Sequence, residues 1–115
     1  MAVTDLRDTI LSVTQELGID NRTVAGAVGA DESAVKRWIA GASFPQHEKR
    51  ERFQALLAVR DHHLLDTFDT TEAIHAWMHT DNRYLGGLSP ASVLLAGRID
   101  RVEAALTVLD SGMFI

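Results

Sequence analysis

The sequence predicts an all-α protein, and three observations carry that expectation. Apolar residues recur at helical spacing: Leu6, Ile10, Val13 and Leu17 follow one another at steps of four, three and four, which makes a single stripe. Glycine punctuates the chain at Gly18, Gly29, Gly41, Gly86-Gly87, Gly97 and Gly112, each after an apolar-periodic stretch, where a left-handed helix C-cap would sit. No Asn-Gly or Asp-Gly turn separates alternating apolar runs, so hairpins have no support.

The first helix is expected over Asp5–Leu17. Asp20 is placed to cap a second, short helix ending at Val28. Asp31 is placed to cap a third from Glu32 to Ala40, with Val35, Trp38 and Ile39 on its buried side. Ala42–His47 reads as a loop, because Pro45 forces Phe44 to be extended. A longer helix is predicted from Glu48 to Asp66, with Phe53, Leu57 and Leu64 spaced four and seven apart. Thr70 or Thr71 caps a helix that runs through Met78. Ser89 followed by Pro90 is a cap and first-turn pair, and Gly97 ends that short helix. Asp100 opens the last helix, with Val102, Ala105, Leu106 and Leu109 inward, and Gly112 stops it. These elements group into an N-terminal lobe, residues 1–58, and a C-terminal lobe, residues 59–115, meeting along the helix after Glu48.

Composition narrows the function. A chain of 115 residues can bury a single core without staples. It has no cysteine, so disulfides, thiolate metal sites and cysteine nucleophiles are excluded. The short apolar runs cannot span a membrane, and MAVTDLRDTI, with Asp5 and no basic region before an apolar stretch, is not a secretory leader. A cytoplasmic protein is the expectation. The formal net charge is −5, but it is unevenly spread. Residues 21–60 hold Arg22, Lys36, Arg37, Lys49, Arg50, Arg52 and Arg60 against Asp31, Glu32, Glu48 and Glu51, and are net basic. The flanking segments are net acidic, which suggests two surfaces with two tasks.

Residues 21–40 match a helix-turn-helix template. Ala25 is the small residue where a second helix must cross closely, and Gly29 supplies the turn four positions later. Val35 and Trp38 are the inner anchors of the second helix, faced by Val24 and Val28. Ser33, Lys36 and Arg37 then point outward, where Lys36 and Arg37 reach guanine edges or phosphates in a major groove. Arg22 and Thr23 stand at the start of the preceding helix, placed for backbone phosphates. Asp31 and Glu32 favour the helix dipole but oppose phosphate, so useful DNA binding is expected to need two copies on paired half-sites. The plainer reading of the same residues is a three-helix core with a solvated basic face. The Trp38-Ile39-Ala40-Gly41 run followed by Pro45 resembles the recognition-helix ending of the Xre, lambda-repressor-like, family.

The second half carries Ala76-Trp77, Asn82, Leu85-Gly86-Gly87, Pro90, Leu94, Gly97 and Val102. This combination resembles the toxin-binding domain of the Xre/MbcA/ParS antitoxins, although Asp81 stands where that family often has proline. With the Xre-like half, the resemblance covers nearly the whole chain. It implies an antitoxin of a type II toxin–antitoxin system. The partner would be a RES-domain toxin that degrades NAD, and the antitoxin would occlude its active site and autorepress its operon on operator DNA. It also implies a homodimer or a hetero-oligomer with the toxin. On the residues alone, Trp77 reads as core and Gly86-Gly87 as a tight reversal between helices. Gly112, Met113, Phe114 and Ile115 form an apolar tail after a helix stop. Such a tail either packs on its own lobe or is buried by a partner; the resemblance favours the partner.

His75 and His79 have the i, i+4 spacing of a helical metal pair, with His62 and His63 the nearest further ligands. No glutamate stands between them in the manner of a metalloprotease, so solvated or partly buried histidines are expected and no metal is assigned. There is no glycine-rich phosphate loop and no Gly-x-Ser-x-Gly elbow. The expectation is therefore a binding protein with no catalytic residue and no cofactor. A plain dimeric helix-turn-helix regulator, its second lobe used for dimerisation or sensing, is the alternative.

Overall fold

A computed structural model describes residues 3–112, with side chains described from Leu6 onward. The described residues fold into α-helices: α1 (Val3–Leu17), α2 (Asn21–Val28), α3 (Glu32–Ala40), α4 (Glu48–Val59), α5 (Thr71–Met78), α6 (Pro90–Leu95) and α7 (Ile99–Asp110). Between α4 and α5 the helix runs on through a π-helical turn, Arg60–Leu64, into one more α-helical turn, Leu65–Thr67. A 3-10 turn, Arg83–Leu85, precedes α6, and among the described residues the only strand-like pairing is an isolated bridge between Asn82 and Leu88.

Helix starts follow the local signals. Asp20 Oδ1 accepts from the Thr23 amide at 2.8 Å and from the Thr23 hydroxyl at 2.6 Å. These bonds favour the charged form and hold the Asp20 carboxyl below the usual carboxylate range. Asp31 caps α3 by accepting from the Ala34 amide at 2.7 Å. Thr70, not Thr71, caps α5, and Ser89 caps α6 with Pro90 in its first turn. Between α2 and α3, Gly29 sits at φ +79°, the left-handed conformation the helix-turn-helix reading requires there.

Several expectations need correction. The helix predicted from Glu48 to Asp66 is not a regular α-helix. Its buried residues are Phe53, Leu56, Val59 and Leu64, and Leu57 is only half-buried. The five-residue step from Val59 to Leu64 matches the π turn, whose extra residue rotates the helix face so that Leu64 still reaches the core. In α7, Leu109 points outward, 42% exposed, whereas the sequence pattern predicts it inward. Asp100 does not open α7; the helix starts at Ile99, and Asp100 lies in its first turn paired with Arg98 at 2.9 Å. Its carboxyl is thereby held low, mainly by the Arg98 hydrogen bond. Trp77 is half-buried rather than core, tilted against Phe68 with ring centroids 5.8 Å apart, while Ile74 and Met78 of α5 are fully inside. Ile39 is also only half-buried.

The buried apolar residues form one cluster from Leu6 on α1 to Leu106 on α7. The halves meet along α4, which α2 and α7 both touch, and also where α2 packs on α6 and α1 on α5. At the α2–α6 crossing a Cβ on Gly26 would lie 2.2 Å from the Leu95 carbonyl oxygen, so the two backbones touch and only glycine fits. Arg52 of α4 reaches over the turns that end α2 and α6. Its Nη1 lies 3.1 and 3.5 Å from where a Cβ on Gly29 or Gly97 would stand. A cation at two helix C-termini is the sign the helix dipoles favour.

Candidate functional site

The helix-turn-helix pair is assembled as the spacing requires. Val24, Ala25 and Val28 of α2 and Val35 and Trp38 of α3 are buried together, Trp38 only 3% exposed. Packing these residues inward turns Ser33, Lys36 and Arg37 outward; all three are exposed. Lys36 Nζ lies 3.8 Å from Glu32 Oε2, with the lysine side chain 67% exposed. An ion pair this open contributes little and gives way readily to a phosphate. Arg22 is exposed at the first turn of α2. Thr23 differs from the other candidates, because its hydroxyl and amide both donate to Asp20 within the cap. The basic side chains Arg22, Lys36 and Arg37 therefore remain the outward-facing cations of this unit, beside the exposed acids Asp31 and Glu32, and Thr23 fixes the turn that presents Arg22.

Of the candidate toxin-contacting residues, Gly112 is described, while Met113, Phe114 and Ile115 lie outside the described residues. Gly112 follows α7 in the left-handed conformation, φ +77°, and nothing lies within 4 Å of where its Cβ would be.

His75 and His79 do share one face of α5, as their spacing predicts, but that face packs on α1. His75 Nε2 lies 2.7 Å from the Gln15 carbonyl oxygen and His79 Nε2 lies 2.6 Å from the Gly18 carbonyl oxygen. A carbonyl only accepts, so each Nε2 carries the proton and donates. The pair therefore satisfies carbonyls left open at the C-terminal end of α1. Glycine at position 18 makes room, since a Cβ there would lie 2.7 Å from the His75 ring.

The structure also presents apolar residues that the sequence did not mark. Tyr84 and Leu88 are exposed on either side of Gly86-Gly87, and Leu65 is exposed at the end of the long helix. Apolar residues beside a glycine pair read as local packing, and only the fold shows that Leu85 alone of that run turns inward.

With this arrangement in view, three comparisons bear on the chain's relatives. The family model described as the antitoxin Xre/MbcA/ParS C-terminal toxin-binding domain matches residues 63–112. Over all 115 residues, and over the whole length of each relative, the chain is 30% identical to the mycobacterial cidal antitoxin MbcA of Mycobacterium tuberculosis and of Mycobacterium bovis. The fold is similar to a chain in the crystal structure of the M. tuberculosis MbcT–MbcA toxin–antitoxin complex. The TM-score is 0.67 at 29% identity, covering 96% of this chain and 97% of that one. The full-length match extends over both halves of the chain, and the chain belongs to the Xre/MbcA/ParS family of antitoxins.

Proposed function

We propose that this antitoxin binds a RES-type, NAD-degrading toxin through residues 59–115, occludes its active site with Gly112, Met113, Phe114 and Ile115, and represses its own operon through residues 1–58. The full-length likeness to MbcA, one of whose solved structures is a complex with a toxin, is the observation that carries this reading. Nothing lies within 4 Å of where a Cβ on Gly112 would stand, which leaves room for a partner at that residue. Burying an apolar side chain such as Phe114 or Ile115 in a partner cleft contributes roughly 1.5–3 kcal/mol each, less the cost of ordering the tail. Inhibition by an inserted segment needs no rearrangement of the toxin, so release requires only loss of the antitoxin. The protein acts by binding, in the cytoplasm, without catalysis or cofactor.

DNA binding runs through the outer face of α3. Lys36 and Arg37 read the major groove beside Ser33, and Arg22 meets the phosphate backbone at the start of α2, presented by the turn that Thr23 fixes through Asp20. The acids Asp31 and Glu32 weaken a single subunit, so a homodimer or toxin-bridged oligomer occupies paired half-sites.

Co-expression with the toxin encoded beside it tests the first part. The full chain protects cells and the chain lacking residues 113–115 does not, while both still bind the promoter. Equal protection by the truncated chain overturns the occlusion step. Titration of the upstream promoter by gel shift tests the second part. Lys36→Ala with Arg37→Ala weakens binding, each by about 1–3 kcal/mol where the lost contact is to a base. Unchanged affinity removes α3 as the reading helix and favours the alternative in which this face is merely solvated.

A further inference from the structure

Between α5 and α6 the chain makes a loop, residues 82–88, that is tied at its base by Asn82. The Asn82 amide donates to the Leu88 carbonyl at 3.0 Å, and the Asn82 carbonyl accepts from the Leu85 amide at 3.0 Å and from the Gly87 amide at 2.9 Å. Its side-chain Oδ1 accepts from the Tyr84 amide at 2.9 Å. Gly86 and Gly87 turn the chain at φ +70° and +88°, where a side chain would be strained. Leu85 is the inward anchor, 2% exposed, and the turn that carries it packs on α7. Just beyond Leu88, Ser89 caps α6. The loop is therefore held in one shape by the chain itself.

With Leu85 inside, Tyr84 and Leu88 are left outside, 38% and 55% exposed. Arg83 is exposed beside them. Neither its guanidinium nor the Tyr84 hydroxyl has a hydrogen-bond or ion-pair partner among the described residues. Gly86 and Gly87, between Tyr84 and Leu88, are bare: nothing lies within 4 Å of where a Cβ on either would stand. A single exposed apolar residue is ordinary. Here an arginine, a tyrosine and a leucine share one short rigid loop, and tyrosine and arginine are the types that anchor protein interfaces. Uncovered backbone between the two apolar side chains lets a partner approach closely.

Rigidity decides what such a loop contributes. A loop already in its bound shape loses little freedom on binding, so burial of Tyr84 and Leu88 appears as affinity. The loop lies inside residues 63–112, the segment that matches the toxin-binding domain. The half around it is net acidic, which disfavours a nucleic acid as the occupant.

We propose that residues 82–88 are a docking surface for the body of the toxin: Tyr84 and Leu88 are apolar anchors on either side of the glycine pair, and Arg83 pairs with a carboxylate on the toxin. Asn82 is the positioning residue that holds the anchors. This rests on the reading of residues 59–115 as the toxin-binding half, and it adds a contact that does not involve residues 112–115.

The test measures the affinity of the purified full-length chain for the toxin encoded beside it, for the parent, Tyr84→Ala, Leu88→Lys, Arg83→Gln and Leu11→Lys. Leu11, 37% exposed on α1, is the matching apolar-to-charged change outside the loop. The melting midpoint checks folding, and all four variants melt close to the parent because the replaced side chains lie at the surface. Tyr84→Ala weakens toxin binding about tenfold or more, the loss expected for an interface anchor. Leu88→Lys weakens it at least as much, because a charge must then be buried against the toxin. Arg83→Gln leaves the loop's hydrogen bonds in place and weakens binding about threefold. Leu11→Lys binds as the parent does. Parent-like affinity for both Tyr84→Ala and Leu88→Lys overturns the proposal and leaves toxin binding by the rest of the half standing. An equal loss for Leu11→Lys also overturns it, because the effect is then one of surface charge anywhere. A Leu88→Lys chain that binds toxin normally but changes from dimer to monomer in sedimentation assigns the loop to a second copy and overturns it too. No binding by the parent removes the toxin-binding reading itself, and the docking surface with it.

Discussion

The α2–α3 unit and the half beyond Val59 are built by different means. In the first, an aspartate cap, a short apolar stripe and a left-handed glycine follow each other within about ten residues, once for α2 and again for α3. Each helix carries the instructions for its own ends. In the second, the deciding interactions reach across the sequence. The π turn sends Arg60 back to α1, with its Nε 3.6 Å from Glu16 Oε2, and His63 forward to α7. His75 and His79 bond to carbonyls sixty and sixty-one positions earlier. Local coding gives a unit whose surface can be read in advance. Long-range coding gives a half whose surface exists only once the core has closed.

That contrast can be broken by experiment, and the largest effect is expected from its locally coded side. Trp38→Ala removes a buried ring and costs roughly 3–5 kcal/mol. The chain has two tryptophans, so the variant leaves Trp77 as the only tryptophan fluorophore, reporting from the other half. Because one buried cluster joins the halves, the Trp77 signal falls in a single transition at a lower denaturant midpoint. A parent-like Trp77 midpoint would mean the second half is stable without the first.

Gly26→Ala comes next. Alanine favours a helix by about 1 kcal/mol, but here its methyl would strike the Leu95 backbone. The overpacking term is of order 1–3 kcal/mol and larger where backbone must move, so the variant melts lower by several degrees. A raised melting temperature would show that α2 and α6 separate at little cost.

Smaller losses sharpen the same contrast. His75→Leu and His79→Leu each remove a hydrogen bond to the end of α1 and cost about 1 kcal/mol. Amide exchange over Gln15–Ile19 should speed up in both. Unchanged protection there would reduce the pair to surface histidines.

The smallest effect is the cap. Asp20→Ala costs about 0.5–1 kcal/mol near neutral pH. The folded-state carboxyl is held low, so its contribution is complete above the ordinary aspartate range and is lost as pH falls through the folded-state value. Melting curves of parent and variant therefore converge in acid. A constant gap across the acid range would assign the loss to helix propensity rather than to the carboxylate.

Amino-acid order alone settles most of the helices, the caps at Asp20, Asp31 and Ser89, and the inward residues Val24, Val28, Val35 and Trp38 of the helix-turn-helix unit, which in turn place Ser33, Lys36 and Arg37 outside; it leaves the cap of α5 between Thr70 and Thr71. Those features depend on bonds three residues long and on a fixed helical period, and both are visible in any short window. The π turn is settled only by the closed core, because an inserted residue is favourable only when Leu64 has a core to reach and His63 and Thr67 have α7 to meet. The same holds for Leu109 facing out and Trp77 leaning on Phe68, since periodicity names a stripe but not which neighbour covers it. The histidine pair is legible as a pair and illegible in purpose: i, i+4 spacing puts two rings on one face, and only the packing of α5 against α1 determines that backbone carbonyls stand opposite them.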